Sequence, residues 1–182
     1  NEVVDVVAAT VGKLPQGDPN DPTNFYGPLV SRNQRDRVES YLTLGREEGA
    51  RVVLGGGRPA GFDRGYYVEP TVFADVTNDM RIAREEIFGP VVVVIPYDSE
   101  EEAVAIANDS DYGLGGGVFS PDRDRATAVA RRIATGTIGV NNASFPMEAP
   151  FGGIKNSGIG RELGPTSLDA YVEPKTIYRA PA

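Results

Sequence analysis

The sequence contains no cysteine, no histidine and no tryptophan among its 182 residues. Without cysteine it can form no disulfide bond, which is consistent with a reducing compartment. Nucleophilic systems that pair serine or cysteine with histidine cannot be assembled from these residues alone. Zinc sites nearly always use cysteine or histidine, so we expect no metal site of that kind. The chemistry left to the chain is that of carboxylates, lysines and backbone amides.

Positive charge is also scarce, since 18 lysines and arginines face 26 acidic residues and the net charge is −8. Nucleic-acid binding needs clustered lysine and arginine, so no nucleic-acid partner is expected. The longest apolar run, residues 91–95, is far too short to cross a bilayer, and no membrane partner is expected either. The acidic composition and the missing cysteine favour a cytoplasmic location.

Helical spacing of apolar residues recurs along the chain. Two of the segments open with a capping box, in which a serine is followed three residues later by glutamine or glutamate. Another ends at a glycine, Gly136, which suits a helix stop. The predicted helices are residues 3–14, a helix opened by Ser31 with Gln34, a helix opened by Ser99 with Glu102, residues 122–134 and residues 166–172.

Short extended segments alternate with these helices. Residues 91–95 form a continuous β-branched run, which is typical of a strand buried on both faces. The two connections that follow are long enough for parallel pairing through right-handed crossovers, which predicts an α/β fold. A strand at the chain end must pair within its domain or with another subunit. The predicted strands are residues 51–54, 66–68, 71–73, 91–95, 116–119, 137–140 and 175–179.

Two motifs carry the functional information. Glu-Glu-Ile-Phe-Gly-Pro at residues 85–90 enters the buried strand, and taken alone it reads as a core phenylalanine beside a solvated helix end. The second motif lies at residues 150–162, and the glycine-rich stretch at residues 152–164 does not form a phosphate loop, because a Walker lysine and the third Rossmann glycine are both missing. In α/β folds ligands bind beyond the carboxyl ends of the strands. Residues 141–160 leave the 137–140 strand there, so we expect a site among them.

In this order and separation, the two motifs resemble the C-terminal third of the NAD(P)-dependent aldehyde dehydrogenases. The resemblance extends over essentially the whole chain. It implies a three-layer, parallel-sheet catalytic domain at residues 1–165, then a C-terminal helix and oligomerisation strand at residues 166–182. The family's cofactor domain, catalytic cysteine, general base and oxyanion asparagine all precede the matched region. The resemblance therefore implies a fragment that is inactive by itself.

The resemblance also assigns roles to individual residues. Glu86 corresponds to the glutamate that binds the nicotinamide ribose, and Phe88 to the phenylalanine that packs beside the nicotinamide. Phe151 corresponds to an aromatic wall of the substrate tunnel, and Phe145 is a further candidate for that wall. Glu162 corresponds to a buried glutamate that assists proton relay from the general base. From the residues alone, Glu162 has an alternative as a surface ion pair with Arg161 or Lys155, and Asn141 suits a structural hydrogen bond to backbone.

In the full-length enzyme the resemblance implies NAD or NADP as cofactor, a small aldehyde as substrate, and a homodimer or homotetramer. An upstream cysteine thiolate adds to the aldehyde, hydride leaves for the cofactor, and water releases the acid. The alternative is a naturally short, non-catalytic module of the same fold that serves in interaction or as a scaffold. A hydrolase using the paired carboxylates Glu86 and Glu162 ranks last, because their spacing does not specify one.

Overall fold

The computed structural model describes residues 2–141, 144 and 146–181, in two compact units, one through Tyr97 and one from Asp98. Within the described ranges, no helix is both long and apolar enough to cross a membrane. The elements of the first unit are α1 (Glu2–Val11), α2 (Arg32–Glu47), β1 (Arg51–Leu54), β2 (Thr71–Ala74), α3 (Arg81–Arg84) and β3 (Val91–Val93).

The first unit is built on a mixed sheet of strand order β1-β2-β3. Strand β2 is the central strand, antiparallel to β1 and parallel to β3, and all four of its residues are buried. Phe73 of β2 is fully buried and is the largest such side chain in the described chain. The buried face of α2 and the short helix α3 complete this core through Val38, Leu42 and Ile82.

Helix α2 begins as predicted but uses its cap differently. The Ser31 hydroxyl accepts a hydrogen bond from the Gln34 backbone N–H at 3.2 Å. The Gln34 side chain does not return to the cap; it donates to the backbone carbonyls of Ile87 and Phe88 instead. Just beyond the other end of α2, the Glu48 carboxylate accepts from the backbone N–H of Arg81 at 2.9 Å and thereby caps α3.

The second unit contains a two-stranded parallel sheet covered by a helix. Strands β4 and β5 pair in continuous register from Gly115 with Thr137 to Val118 with Val140. Helix α5 packs against both strands and buries Ala126. The elements are α4 (Glu100–Asn108), β4 (Gly115–Val118), α5 (Arg123–Ala130), β5 (Thr137–Val140) and the 3₁₀ helices Lys155–Ser157 and Pro165–Tyr171.

The α/β class is confirmed, with corrections to the predicted strands. Residues 66–68 form no strand, and β3 pairs with β2 in a mixed sheet with one side chain, Val92, 44% exposed. This strand is therefore not buried on both faces within the chain. Residues 175–179 are exposed and form no strand here, because no neighbouring segment among the described residues pairs with them. The oligomerisation strand and the three-layer arrangement stay predictions.

Helix α5 ends at Ala130, four residues earlier than predicted, so Gly136 is not its stop. Gly136 has a different purpose. A Cβ atom placed there would lie 1.7 Å from the carbonyl oxygen of Gly152. The missing side chain therefore allows two backbone segments of the second unit to approach closely.

Candidate functional site

The first predicted motif forms a turn that presents two side chains to solvent. Its anchor is Ile87, which is buried, whereas the neighbouring Glu86 and Phe88 are exposed. Phe88 has a φ of +59° and a ring that is 74% exposed. A left-handed backbone at a phenylalanine is strained, and it persists only where the surroundings hold it. The turn thus displays a carboxylate and an aromatic ring side by side on one buried anchor.

Two side chains of α2 hold the backbone of this turn. The Gln34 amide donates to the carbonyl of Phe88 at 2.7 Å and to that of Ile87 at 3.3 Å. The Arg37 guanidinium donates to the carbonyl of Glu86 at 2.8 Å. Sequence reasoning missed both residues. Their spacing of three positions puts them on one helix face, but nothing local indicates what that face contacts.

Glu85 is ion-paired rather than simply solvated. Arg81 donates from Nε to one carboxylate oxygen at 2.7 Å and from Nη2 to the other at 3.1 Å. The Tyr41 hydroxyl donates to the second oxygen at 2.6 Å. The Arg81 hydrogen bonds, followed by that from Tyr41, lower the pKa of Glu85 to about 2. Donation to this carboxylate in turn raises the pKa of Tyr41.

We expect Glu85 to make the chain sensitive to acid. Its pKa is depressed from 4.5 to about 2, so its contribution to stability is complete above pH 4.5 and is lost as the pH falls towards 2. In Glu85→Gln this contribution is missing at every pH. Urea unfolding midpoints between pH 5 and pH 2, measured relative to wild type, should therefore show the gap between the two proteins closing in acid. Glu47→Gln, an exposed neighbour on α2, is the control, and a gap of constant size would contradict the expectation.

The second predicted motif docks as a loop on the segment after α4. Ile154 donates its N–H to the carbonyl of Gly113 at 3.0 Å, and the Ser157 hydroxyl accepts from the N–H of Gly113 at 3.1 Å. The Lys155 ammonium donates to the carbonyls of Asn108 at 2.8 Å and Ser110 at 2.7 Å. A cation at the carboxyl end of a helix interacts favourably with its dipole. Lys155 therefore anchors the loop.

Phe151 and Glu162 close this loop by exchanging backbone hydrogen bonds, both at 2.7 Å. The Glu162 side chain is exposed in this chain, so the burial expected for a relay carboxylate is not supplied by these residues. The alternative, an ion pair with Arg161 or Lys155, is not formed either, because Arg161 directs its guanidinium to the carbonyl of Gly153 at 2.6 Å and Lys155 binds carbonyls. The role of Glu162 stays a prediction.

A cavity of about 510 Å³ is lined by residues of β4 and β5 together with Ser144 and residues between Pro146 and Phe151. Part of its lining comes from the 141–160 segment in which the sequence places a site, and that placement stays a prediction. None of the lining side chains is charged. Phe145, the other predicted wall residue, lies outside the described residues. The lining residues are Gly115, Gly116, Gly136, Thr137, Ile138, Gly139, Ser144, Pro146, Ala149, Pro150 and Phe151.

Asn141 orders the end of the second sheet. Its side chain accepts from the N–H of Ser120 at 2.9 Å and donates to the carbonyl of the same residue at 2.8 Å. The predicted structural role is confirmed.

The structure groups the predicted site residues by unit, with Glu86 and Phe88 together in the first unit and Phe151 and Glu162 together in the second. In the portion of the chain described, no group of three or more acidic, histidine or cysteine side chains is placed to hold a metal ion.

An exposed carboxylate and phenylalanine on a turn in one unit, and an uncharged cavity in the other, are the candidate site features of this α/β chain. The aldehyde dehydrogenase family model matches residues 1–177. The chain belongs to the aldehyde dehydrogenase family. Geranial dehydrogenase from Castellaniella defragrans is 54% identical over 178 residues, which cover 98% of this chain and 37% of that protein. Betaine aldehyde dehydrogenase from Brucella anthropi is 51% identical and is covered to 35%, with 91% of this chain aligned.

Solved structures agree with this family. An aldehyde dehydrogenase from Mycobacterium tuberculosis in complex with NAD⁺ superposes with a TM-score of 0.91 at 55% identity, over 93% of this chain and 35% of that one. A variant of aldehyde dehydrogenase C from Pseudomonas syringae, in complex with NAD⁺ and octanal, gives a TM-score of 0.92 at 47% identity over 94% and 36%. The chain thus spans about a third of the length of the relatives it matches.

Proposed function

We propose that this chain is the C-terminal part of an NAD(P)-dependent aldehyde dehydrogenase, which oxidises an aldehyde to a carboxylic acid, and that it is inactive alone. The observation that carries the proposal is family membership over residues 1–177 together with coverage of only 37% of a full-length relative. The chain has no cysteine for the thiolate step. The nucleophile is therefore proposed to belong to the part of the enzyme outside this chain, and the resemblance places the general base there as well.

The proposed contribution of the first unit is to hold the cofactor. A carboxylate only accepts hydrogen bonds, so the exposed Glu86 is suited to accept one from each of two ribose hydroxyls. The exposed ring of Phe88, two residues on, offers an apolar face for the nicotinamide. The cofactor, NAD or NADP, accepts the hydride in this chemistry. Glu86 and Phe88 orient the cofactor and take no part in the hydride transfer itself.

The proposed contribution of the second unit is a wall of the substrate site. Its cavity is lined by Phe151 and other uncharged residues, which suits an uncharged aldehyde. The relatives include both a geranial dehydrogenase and a betaine aldehyde dehydrogenase at similar identity, so the choice between an apolar and a quaternary ammonium aldehyde is left to the substrate assay. Phe145 is proposed to extend this wall. Glu162 is proposed to assist proton relay once the remainder of the enzyme covers it.

We further propose that the enzyme is a cytoplasmic homodimer or homotetramer, in which residues 175–179 pair as a strand with another subunit. The exposed side chains of Ile177 and Tyr178 support this, since two neighbouring apolar side chains on an unpaired extended segment are suited to burial in an interface. The cysteine-free sequence agrees with the cytoplasm.

The experiment that tests the function compares two proteins. The genomic reading frame containing this chain is expressed in full, and the 182-residue chain is expressed alone. With octanal and NAD⁺ or NADP⁺, the full product should form reduced cofactor at 340 nm, and the chain alone should match a buffer control. Turnover by the chain alone would overturn the proposal. A reading frame that encodes no upstream cysteine would do the same and would favour the short interaction module instead.

A further inference from the structure

A continuous hydrogen-bond network runs from Arg81 to the backbone of Glu86 through polar side chains of the first unit. Arg81 donates to both oxygens of Glu85, at 2.7 and 3.1 Å. The Tyr41 hydroxyl donates to Glu85 at 2.6 Å and accepts from the Arg37 guanidinium at 3.3 Å. The same Arg37 nitrogen donates to the carbonyl of Glu86 at 2.8 Å. Every member of the network therefore has a defined partner on the path to Glu86.

We propose that Tyr41 and Glu85 are positioning residues for Glu86, and that they fix where its carboxylate meets the ribose of the cofactor. This inference rests on the function proposed above. Neither residue touches the cofactor in this assignment. Glu85 directly precedes Glu86, so its contacts restrain the backbone of the turn itself. Tyr41 acts on the turn through Glu85 and through Arg37, which donates to the carbonyl of Glu86.

The turn needs such support because its functional side chains are not held by burial. Glu86 and Phe88 are exposed, and the left-handed φ of +59° at Phe88 must be maintained by neighbouring contacts. The buried Ile87 fixes the turn on the far side of Glu86. Glu85, tied to Arg81 and Tyr41, fixes it on the near side. The backbone on each side of Glu86 is thus restrained, which orients its carboxylate.

Tyr41 is suited to this role because its ring and its hydroxyl do different work. The ring is buried in the core of the first unit, whereas the hydroxyl reaches a polar depression also lined by Arg37 and Arg81. The Arg37 guanidinium lies 5.1 Å from the ring centroid, which holds the two side chains together. The low pKa of Glu85 and the raised pKa of Tyr41 keep the network in one protonation state around neutral pH.

The test uses the full-length enzyme with single variants Tyr41→Phe, Glu85→Gln and Glu86→Gln and the double variant Tyr41→Phe/Glu86→Gln. Loss of the charged ribose contact in Glu86→Gln should raise the KM for the cofactor about tenfold or more. Tyr41→Phe and Glu85→Gln should each raise it about three- to tenfold, with the KM for the aldehyde unchanged. In the double variant, Tyr41→Phe should add less than about twofold, because it acts through Glu86.

The controls separate positioning from folding. Glu47→Gln removes an exposed carboxylate from the same depression and should leave the cofactor KM at the wild-type value. A lower melting temperature with an unchanged cofactor KM in Tyr41→Phe and Glu85→Gln would overturn the inference and leave the proposed function standing. An unchanged cofactor KM in Glu86→Gln would remove both the ribose contact and the inference built on it. If Tyr41→Phe does not fold, Glu85→Gln and its double variant with Glu86→Gln decide the question.

Discussion

Gly136→Ala is expected to cost about 3 kcal/mol of unfolding free energy, the upper range for overpacking, by forcing two backbone segments apart. The new Cβ would lie 1.7 Å from the carbonyl oxygen of Gly152, 2.7 Å from its carbonyl carbon and 3.1 Å from the Cα of Gly153. All three are backbone atoms, so no side-chain rotation can relieve the contact. The docked loop at residues 151–162 must move, and with it the Phe151 wall of the cavity.

Urea unfolding of the chain measures this effect, with Gly160→Ala as the matched control in the same loop. A Cβ at Gly160 meets no atom within 4 Å, so this variant should stay within about 0.5 kcal/mol of wild type. Equal stabilities of the two variants would show that the close approach at Gly136 does not constrain the second unit.

Phe73→Ala should destabilise the first unit by about 3–5 kcal/mol, since it empties the largest fully buried site in the described chain. The ring packs against the backbone of α2: a Cβ at Gly45 would lie 2.9 Å from its Cζ atom. A rigid helix on one side and buried β2 neighbours on the other leave little room for collapse. The cost of leaving an empty cavity therefore adds to the free energy that is lost when the buried ring is removed.

The comparison for this variant is Phe25→Ala, which removes the same side chain from a position that is 67% exposed. Its unfolding free energy should stay within about 0.5 kcal/mol of wild type. Measured by urea unfolding, a loss below about 1 kcal/mol for Phe73→Ala would mean that the core around β2 repacks, contrary to the close contacts seen with α2.

Local patterns predicted the helices and several strands because their causes lie within a few residues. Ser31 caps α2 as expected, and β5 occupies the predicted residues. The predicted end of α5 was wrong because a glycine near a helix end suggests a stop, whereas Gly136 allows a close contact with a loop distant in sequence. The predicted strand at residues 175–179 is not formed among the described residues, because a strand needs a second segment to pair with and the pattern of one segment does not show whether that partner is present.

The residue types of the candidate site came from the resemblance, whereas the contacts that support its backbone were not predicted. The two motifs identified Glu86 and Phe88 from their resemblance to a family, and both prove to be displayed on a turn. The Gln34 and Tyr41 contacts to this motif join residues separated by 54 and 44 positions. Pairings of that range depend on how α2 packs, so composition and spacing do not reveal them. The exposure of Glu162 was missed because the burial expected for it came from the resemblance alone.

The close approach at Gly136 also limits how this sequence can evolve. A side chain at position 136 meets a carbonyl oxygen, which every residue at position 152 would carry, so no second substitution there can compensate. Gly45 differs, because a side chain there would meet the side chains of Phe73 and Ile82, and smaller residues at those positions could make room. A side chain at position 45 can therefore be accepted when positions 73 and 82 change to smaller residues, whereas no second substitution makes room for a side chain at position 136.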